Sequence, residues 1–292
     1  MSSPLLKIAL PKGSLQEATY KLFERAGWRI SASSRSYFPR IDDPELEPVL
    51  IRAQEIARYV QDGVMDCGLT GRDWVVESDA DVVEVAELAF AKATSRPVRW
   101  VVAVSNDAEM HTVQDLQGKR IATELVNTTR KFLAKHGVEA QVEFSWGATE
   151  AKVPTLVDAI VDITETGSSL KANNLRIMAE VMQSVTVMVA NKTCWEDPWK
   201  RRKIEQLVML LQGALRAEGK VALKMNVPAD HVGRVVSLLP AMKGPTISHL
   251  ADGQWVAVET VIDEKIVREI IPQLKAAGAQ DIIEFPLSKI IP

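Results

Sequence analysis

The chain has 292 residues, 47% of them apolar and 25% charged, with a net charge of −3 and an isoelectric point near 5.9. That length accommodates two or three compact units with their own cores, and the charge balance supplies no basic field for a nucleic acid. The two cysteines, Cys67 and Cys194, stand in unlike contexts that suggest neither a disulfide framework nor a zinc site, and no apolar run approaches the ~18 residues of a membrane span.

The N-terminal "MSSPLLKIALPKGSL" is broken by Lys7 before it could serve as a signal peptide, so a reduced, cytoplasmic protein with no membrane partner is expected. "LLKIAL" (5–10) predicts a buried strand, and "SLQEATYKLFERAG" (14–27) an amphipathic helix closed by Gly27. "EPVLIR" (47–52) predicts a strand, "QEIARYVQDG" (54–63) a short helix, and "MDCGLT" (65–70) another buried strand whose Thr-Gly turn leads into "RDWVVES". Strands alternating with helices in this way predict a small α/β lobe with a mostly parallel sheet.

A second lobe of similar build follows. "RPVRWVVAV" (96–104) predicts a strand, "TVQDLQ" a short helix and "KRIATE" (119–124) a strand. "NTTRKFLAKHG" (127–137) predicts a helix with Asn127 or Thr128 as N-cap. After "AQVEFSW" come a short helix near 149–156, a strand "VDAIVDI" (157–163), a strand "VTVMVAN" (185–191) and a long helix (199–219). The segment from 185 is expected to return to the first lobe, giving a clamshell with lobe I at 1–95 and 185–212 and lobe II at 96–184.

The remainder, 213–292, predicts the order βαββαβ of the split βαβ, ferredoxin-like (ACT/PII-like) pattern, with Asp252-Gly253 as a hairpin turn. Val256, Val258 and Thr260 alternate with Ala257, Glu259 and Val261, as in a sheet covered by helices on one face. No catalytic constellation stands out there, and a regulatory or assembly role is expected.

Two stretches nearly repeat one another: "DCGLTGRDW" (66–74) and "DITETGSSL" (162–170), each an Asp after an apolar run with Thr-Gly four and five positions on. A Gly at such a turn lets backbone N–H groups approach an oxyanion, Thr166, Ser168 and Ser169 add hydroxyl donors, and a helix beginning at Ser168 or Ser169 adds positive potential. Asp158, Asp162 and Glu165 lie beside it; carboxylates repel phosphate but accept bonds from ribose hydroxyls or help hold Mg²⁺. A sugar phosphate meets both requirements. An isolated Thr-Gly-Ser-Ser is more often an ordinary turn, and a helix dipole adds only ~0.3–1 kcal/mol where micromolar binding takes about 8 kcal/mol. Lys12, Arg52 and Arg72 at other strand-to-helix junctions are the candidate cations, since open α/β sheets bind ligands at such junctions. P-loop, dinucleotide-binding and nucleophile-elbow motifs are absent, and His111, His136, His231 and His249 are scattered without metal-ligand spacing.

Together these motifs resemble the long form of the ATP phosphoribosyltransferase family, nearly end to end. The resemblance runs through "LKIALPKGSL", "IRAQEIARYVQDGVMDCGLTGRDW" (51–74), "GKRIATELVN" (118–127), "VDAIVDITETGSSLKANNLRI" (157–177) and "GPTISHLADGQWVAVETVI" in the C-terminal unit. It implies a two-lobed, periplasmic-binding-protein-like catalytic core with the active site in the cleft, and a C-terminal regulatory domain. It also implies transfer of the phosphoribosyl group of phosphoribosyl pyrophosphate to N1 of ATP, the first step of histidine biosynthesis, with Mg²⁺ as cofactor.

By resemblance, Asp158, Asp162, Thr164, Glu165, Thr166, Gly167, Ser168 and Ser169 hold phosphoribosyl pyrophosphate. Lys12, Gly13, Arg52, Thr70, Gly71 and Asp73 face ATP and the pyrophosphate, and Lys12, Arg52, Asp158 and Asp162 are implied as catalytic. Histidine is implied as a feedback inhibitor near Gly244, Pro245 and Thr246, although Gly244 stands where some members have Ser, and Lys224, Asn226 and Asp281 also depart from the inhibited pattern. A homo-oligomer, dimer to hexamer, is implied as well. The competing reading is a two-lobed solute-binding module that captures an anion without chemistry.

Overall fold

The computed structural model describes residues 4–33, 36–90, 97–240, 244–251 and 253–292. The chain divides into two compact units, Met1–Val208 and Met209–Pro292.

The first unit holds two lobes of one topology. Lobe I is built from β1 (Leu6–Lys12), α1 (Gln16–Ala26), β2 (Leu46–Arg52), α2 (Ala53–Gln61), β3 (Cys67–Gly71), α3 (Arg72–Ser78) and β4 (Val83–Leu88). Lobe II follows with β5 (Val98–Ser105), β6 (Arg120–Thr123), α4 (Val126–Lys135), β7 (Gln141–Phe144), β8 (Ala159–Thr164), α5 (Ser168–Ala172) and β9 (Leu175–Ser184). The chain then returns through β10 (Thr186–Ala190), which joins the lobe I sheet, and continues into α6 (Lys192–Glu196) and α7 (Pro198–Arg216).

The lobe I sheet has the order β2-β1-β3-β10-β4, and lobe II the order β7-β6-β8-β5-β9. In each, three neighbouring strands run parallel, and the fourth runs antiparallel to both of its neighbours. In each, too, the antiparallel strand comes from the crossover between lobes. β10 reaches lobe I after a single residue, Val185, from the end of β9, and β5 enters lobe II next after β4 of lobe I. This doubled, cross-connected sheet is the periplasmic-binding-protein-like core that was expected. Ile8, Leu10, Leu69, Val187 and Val189 in lobe I, and Val102, Val104, Ile121 and Val161 in lobe II, are sealed from solvent on their sheets. Burying each such side chain contributes about 1.5–3 kcal/mol.

Parallel strands align their C-terminal ends, so the polar side chains that follow β1, β2 and β3 gather at one edge of lobe I. Lys12 and Arg52 are register partners across that edge. Three expectations shift by local chemistry. The helices expected at 112–117 and near 149–156 are single 3-10 turns, Val113–Leu116 and Thr149–Lys152. The β8 strand begins after Asp158 rather than at Val157. Helix α4 starts at Val126 with Leu125 as N-cap and no side-chain cap of its own, so Asn127 and Thr128 are inside the helix. The expected strand start at Arg96 lies outside the described residues.

The second unit contains β11 (Lys220–Pro228), α8 (Val232–Leu238), β12 (Thr246–His249), β13 (Trp255–Asp263), α9 (Val267–Ala276) and β14 (Gln280–Pro286), the expected βαββαβ order. Its sheet order is β12-β13-β11-β14, all antiparallel. Val221, Leu223, Met225 and Val227 of β11 and Val256, Val258 and Ile262 of β13 point into one core with Val235, Ile270 and Leu274 from the two helices. Asp252 of the expected hairpin lies outside the described residues; Gly253 has φ +67° and the ends of the turn are tied by the Leu250 N–H to the Trp255 carbonyl at 2.9 Å. Among the described residues no helix is long and apolar enough to cross a membrane.

Candidate active site

A cleft of about 650 Å³ lies between the lobes of the first unit. Lobe I contributes Lys12, Arg52, Gly71 and Asp73 to its wall; lobe II contributes Glu124 and Asp162 together with the turn Thr164, Glu165, Thr166, Ser168 and Ser169. The two Thr-Gly turns of the sequence therefore line one cavity, one from each lobe.

On lobe I, Lys12 is the last residue of β1, and its ammonium lies 5.4 Å from the centre of the Tyr37 ring. Gly13 follows with φ +111°, and a Cβ there would meet the Arg52 guanidinium at 3.2 Å, so the glycine lets the two cations share one edge. Arg52 is exposed at the start of α2. Thr70, fully buried, donates its hydroxyl to the Ala53 carbonyl at 2.7 Å, which ties β3 to the start of α2. Gly71 precedes α3, where a Cβ would fall 2.0 Å from Asp73 Oδ1.

Asp73 is 2% exposed. Its Oδ2 accepts from the Trp100 indole N–H at 2.6 Å and its Oδ1 from the Trp74 N–H at 3.0 Å. Burial pushes its carboxyl up, while those hydrogen bonds pull it back. Both oxygens are thus engaged by protein donors, and the residue ties lobe I to lobe II. Arg72, a candidate cation, does not line the cleft: its guanidinium is paired with Glu84 and Glu87 of lobe I, which hold it firmly protonated.

On lobe II the turn after β8 is held by its own hydroxyls. Thr164, buried, accepts from the Gly167 N–H at 2.8 Å; Thr166 and Ser168 hydroxyls meet at 2.9 Å; Ser169 donates to the Glu150 carboxylate. Gly167 has φ +78°, a conformation that favours glycine. Helix α5 has only 5 residues, so hydroxyls and turn amides rather than a long dipole give this loop its character. Burial pushes the Asp162 carboxyl up to about 6; the Ile163 N–H, donating at 2.7 Å, opposes this, and the Glu150 and Glu124 charges reinforce it.

Asp158 is placed elsewhere. It precedes β8, six residues from Thr164 at the opposite end of the strand, and accepts from the Arg120 N–H at 2.8 Å. It does not line the cleft. Its recurrence with Asp162 at i, i+4 puts both on one side of the strand without bringing them to one site.

Sequence reasoning passed over Glu124, Gln54, Trp100 and Glu150. Glu124 follows β6 directly, the same strand-end logic that found Lys12 and Arg52, and the Gln54 amide donates to it across the cleft at 3.4 Å. Trp100 and Glu150 carry no such signal, because their partners lie 27 and 19 residues away. In the second unit, Gly244 has φ +142° and leads through Pro245 to Thr246, the exposed first residue of β12. Asn226 donates to Asp281 at 3.0 Å.

A family model described as ATP phosphoribosyltransferase matches residues 52–213, and one described as the HisG C-terminal domain matches residues 217–289. The ATP phosphoribosyltransferase of Pelotomaculum thermopropionicum is 61% identical over 98% of this chain and 99% of that protein. That of Chlorobium luteolum is 59% identical over 99% of each. Among solved structures, the ATP phosphoribosyl transferase (HisG:HisZ) complex from Thermotoga maritima aligns with a TM-score of 0.61 at 27% identity, covering 71% of this chain and 96% of that one. With two lobes facing across a polyanion-sized cleft and relatives this similar over the whole length, the chain belongs to the ATP phosphoribosyltransferase family.

Proposed function

We propose that the family's reaction, transfer of the phosphoribosyl group of phosphoribosyl pyrophosphate to N1 of ATP in the first step of histidine biosynthesis, takes place in the interlobe cleft. The observation that carries this is the meeting of Lys12 and Arg52 from lobe I with the 164–169 turn of lobe II on one cavity wall. The turn, with Thr166, Gly167, Ser168 and Ser169, takes the 5′-phosphate. Asp162 and Glu165 accept from the ribose hydroxyls. Lys12, Gly13 and Arg52 face the triphosphate and the leaving pyrophosphate, with Gly71 on the same wall.

In the reaction the adenine N1 lone pair forms the bond to ribose C1 as the C1–O bond to pyrophosphate breaks, and the electron pair leaves with the pyrophosphate. No proton moves in that step, so no general base is required. What the chain supplies is position and charge: two polyanions held in line, and cations at the leaving group. Asp158 is left out of this site by its place at the far end of β8.

The reaction takes a divalent metal, and Mg²⁺ is the ion proposed. Among the described residues no three His, Cys, Asp or Glu side chains gather as a ligand set. That suits Mg²⁺, which keeps several waters and is held by one or two carboxylates plus substrate phosphates. Asp162 and Glu124 on the cleft wall are carboxylates of that kind. Bound there, the ion would neutralise charge on the pyrophosphate.

Lobe I is assigned to 1–95 and 185–212, lobe II to 96–184 and the regulatory domain to 213–292. The C-terminal family match and the βαββαβ sheet support a domain that senses histidine near Gly244, Pro245 and Thr246 and assembles dimers into a hexamer. Nucleotide substrates and two unpaired, buried cysteines support a cytoplasmic setting.

The test is a steady-state assay with ATP, phosphoribosyl pyrophosphate and Mg²⁺, following the product by ultraviolet absorbance with and without millimolar histidine. Turnover that is lost in the Thr166→Ala, Gly167→Ala double variant supports the site. Binding of phosphoribosyl pyrophosphate without turnover would leave a solute-binding module instead, a reading that the identity to enzymes does not favour.

A further inference from the structure

Helix α3 of lobe I grips lobe II at two points. Its first turn is pinned to the crossover between lobes: the Arg72 N–H donates to the Val185 carbonyl at 2.9 Å and the Asp73 N–H to Ser184 Oγ at 3.0 Å. One turn further on, Glu77 reaches the start of helix α4 in lobe II. Glu77 Oε1 accepts from the Asn127 N–H at 2.9 Å, and Oε2 accepts from both the Thr128 N–H and the Thr128 hydroxyl at 2.9 and 2.8 Å. The Asn127 amide returns a bond to the Glu77 carbonyl at 3.1 Å, and Lys131 pairs with Asp79 at 3.2 Å.

The first N–H groups of a helix lack partners within it, and a capping side chain ordinarily comes from the preceding residue. Here that residue is Leu125, which offers none. The carboxylate that caps α4 belongs to the other lobe. Charge-assisted bonds to the positive end of a helix are strong as hydrogen bonds go. Glu77 lies one turn along α3 from Arg72 and Asp73, whose N–H groups are bound at the chain crossing Ser184–Val185. A change of lobe angle at that crossing would therefore displace Glu77 from α4 more than it displaces Asp73 from Trp100.

We propose that Glu77 is a positioning residue for phosphoribosyl transfer: by supplying from lobe I the cap that α4 of lobe II lacks, it holds the cleft at the angle where Lys12 and Arg52 face the 164–169 turn. The inference rests on the cleft being the catalytic site. Without Glu77 the lobes spend less time at that angle, and each substrate must draw the cleft closed at the expense of its own affinity. At saturation the ternary complex is closed either way.

The experiment measures kcat and both KM values for the full-length protein and its Glu77→Gln and Glu77→Ala variants, with hydrogen exchange at the Asn127 and Thr128 amides as an independent report on the cap. The expected result is faster exchange at those amides, KM for ATP and for phosphoribosyl pyrophosphate both raised about tenfold, and kcat within about twofold of the parent. The Glu77→Asp variant is expected to recover part of the loss. A cap that only stabilised α4 would lower thermal stability without this KM-against-kcat split. Unchanged KM values in a variant whose α4 amides exchange freely would overturn the proposal, as would a fall in kcat alone. Should the Glu77 variants fail to fold, Thr128→Val removes one of the three bonds from the other side; a smaller rise in both KM values is expected, and no rise overturns the proposal. Absence of turnover in the parent would instead sink the assignment of the cleft.

Discussion

Asp66 of lobe I and Asp158 of lobe II occupy the same place in their lobes. Asp66 accepts from the Lys7 N–H at 2.9 Å and donates its own N–H to the Lys7 carbonyl at 3.0 Å; Asp158 does the same with Arg120, at 2.8 and 3.0 Å. Each stands one residue before the third parallel strand of its sheet and clamps it to the start of the first. The near-repeat in the sequence, aligned on Thr-Gly, pairs Asp66 with Asp162 and is out of step with this equivalence by four residues. Asp162 corresponds in the fold to Thr70, at the cleft end of the strand.

The two aspartates should therefore separate by assay. Asp158→Ala loses a backbone contact and is expected to cost about 1 kcal/mol of stability while leaving kcat within about twofold. Asp162→Asn, at the cleft, is expected to lower kcat/KM on the order of 10²-fold, the scale of a lost positioning contact. Chemical denaturation and steady-state kinetics on both variants check this, and the opposite pattern would restore Asp158 to the active site.

How much of this was legible follows from how local each signal is. The strands, the two lobes and the C-terminal βαββαβ unit show as periodicity and turn chemistry within a dozen residues, and all are present in the fold. Lys12 and Arg52 were singled out because strand ends in an α/β sheet are where ligands go, and both line the cleft; Glu124 lines it too and was passed over although the same rule applies to it. Asp158 was misplaced because alternation sets the side of a strand but not the end. The cap on α4 was sought in Asn127 and Thr128, and its true source, Glu77, lies 50 residues away in the other lobe. Contacts of that range leave no mark in local text.

The Asp162 carboxyl, raised to about 6 mainly by burial, should appear in the pH dependence of the free enzyme. Because its folded value lies above the ordinary carboxylate range, the folded state holds the proton more tightly than the unfolded chain. Its contribution is fully present below about 4, is lost as pH rises through about 6, and is absent above that. Stability should fall across that window, and Asp162→Asn should flatten that part of the curve. The kcat/KM profile should rise with an ionisation near 6 that is missing in the variant. Thermal melts and kinetics from pH 4.5 to 8 read both; an unchanged ionisation in Asp162→Asn would assign it to another group.

Gly68 in β3 lies against both helix α2 and strand β1. A Cβ at this position would meet Ile56 Cγ2 at 2.6 Å and Ala9 Cβ at 2.9 Å, both in the sealed core of lobe I. Neither neighbour is a flexible chain end, so Gly68→Ala must push the helix off the sheet. A loss of about 2 kcal/mol is expected, in the usual range for overpacking, with the melting temperature falling accordingly. Since β3 leads into Gly71 and Asp73, a rise in KM for ATP should accompany it. A variant as stable as the parent would show that α2 can shift freely.

Thr164 tests whether the 164–169 turn is held by its own hydroxyl or uses it on substrate. The side chain is 7% exposed, and its oxygen accepts from the Gly167 N–H at 2.8 Å. That bond closes the turn at the residue whose φ of +78° sets the direction of Ser168 and Ser169. Thr164→Val keeps the shape and removes the acceptor, leaving a buried N–H without its partner, a change of about 1–3 kcal/mol in the loop. The expected result is a rise of at least tenfold in KM for phosphoribosyl pyrophosphate, with KM for ATP changed little and Thr164→Ser close to the parent. If Thr164→Ser were as impaired as Thr164→Val, the methyl group and its packing would be what the loop requires. If neither variant changed the phosphoribosyl pyrophosphate KM, the turn would be held from outside, with the Ser169–Glu150 contact as the next bond to remove.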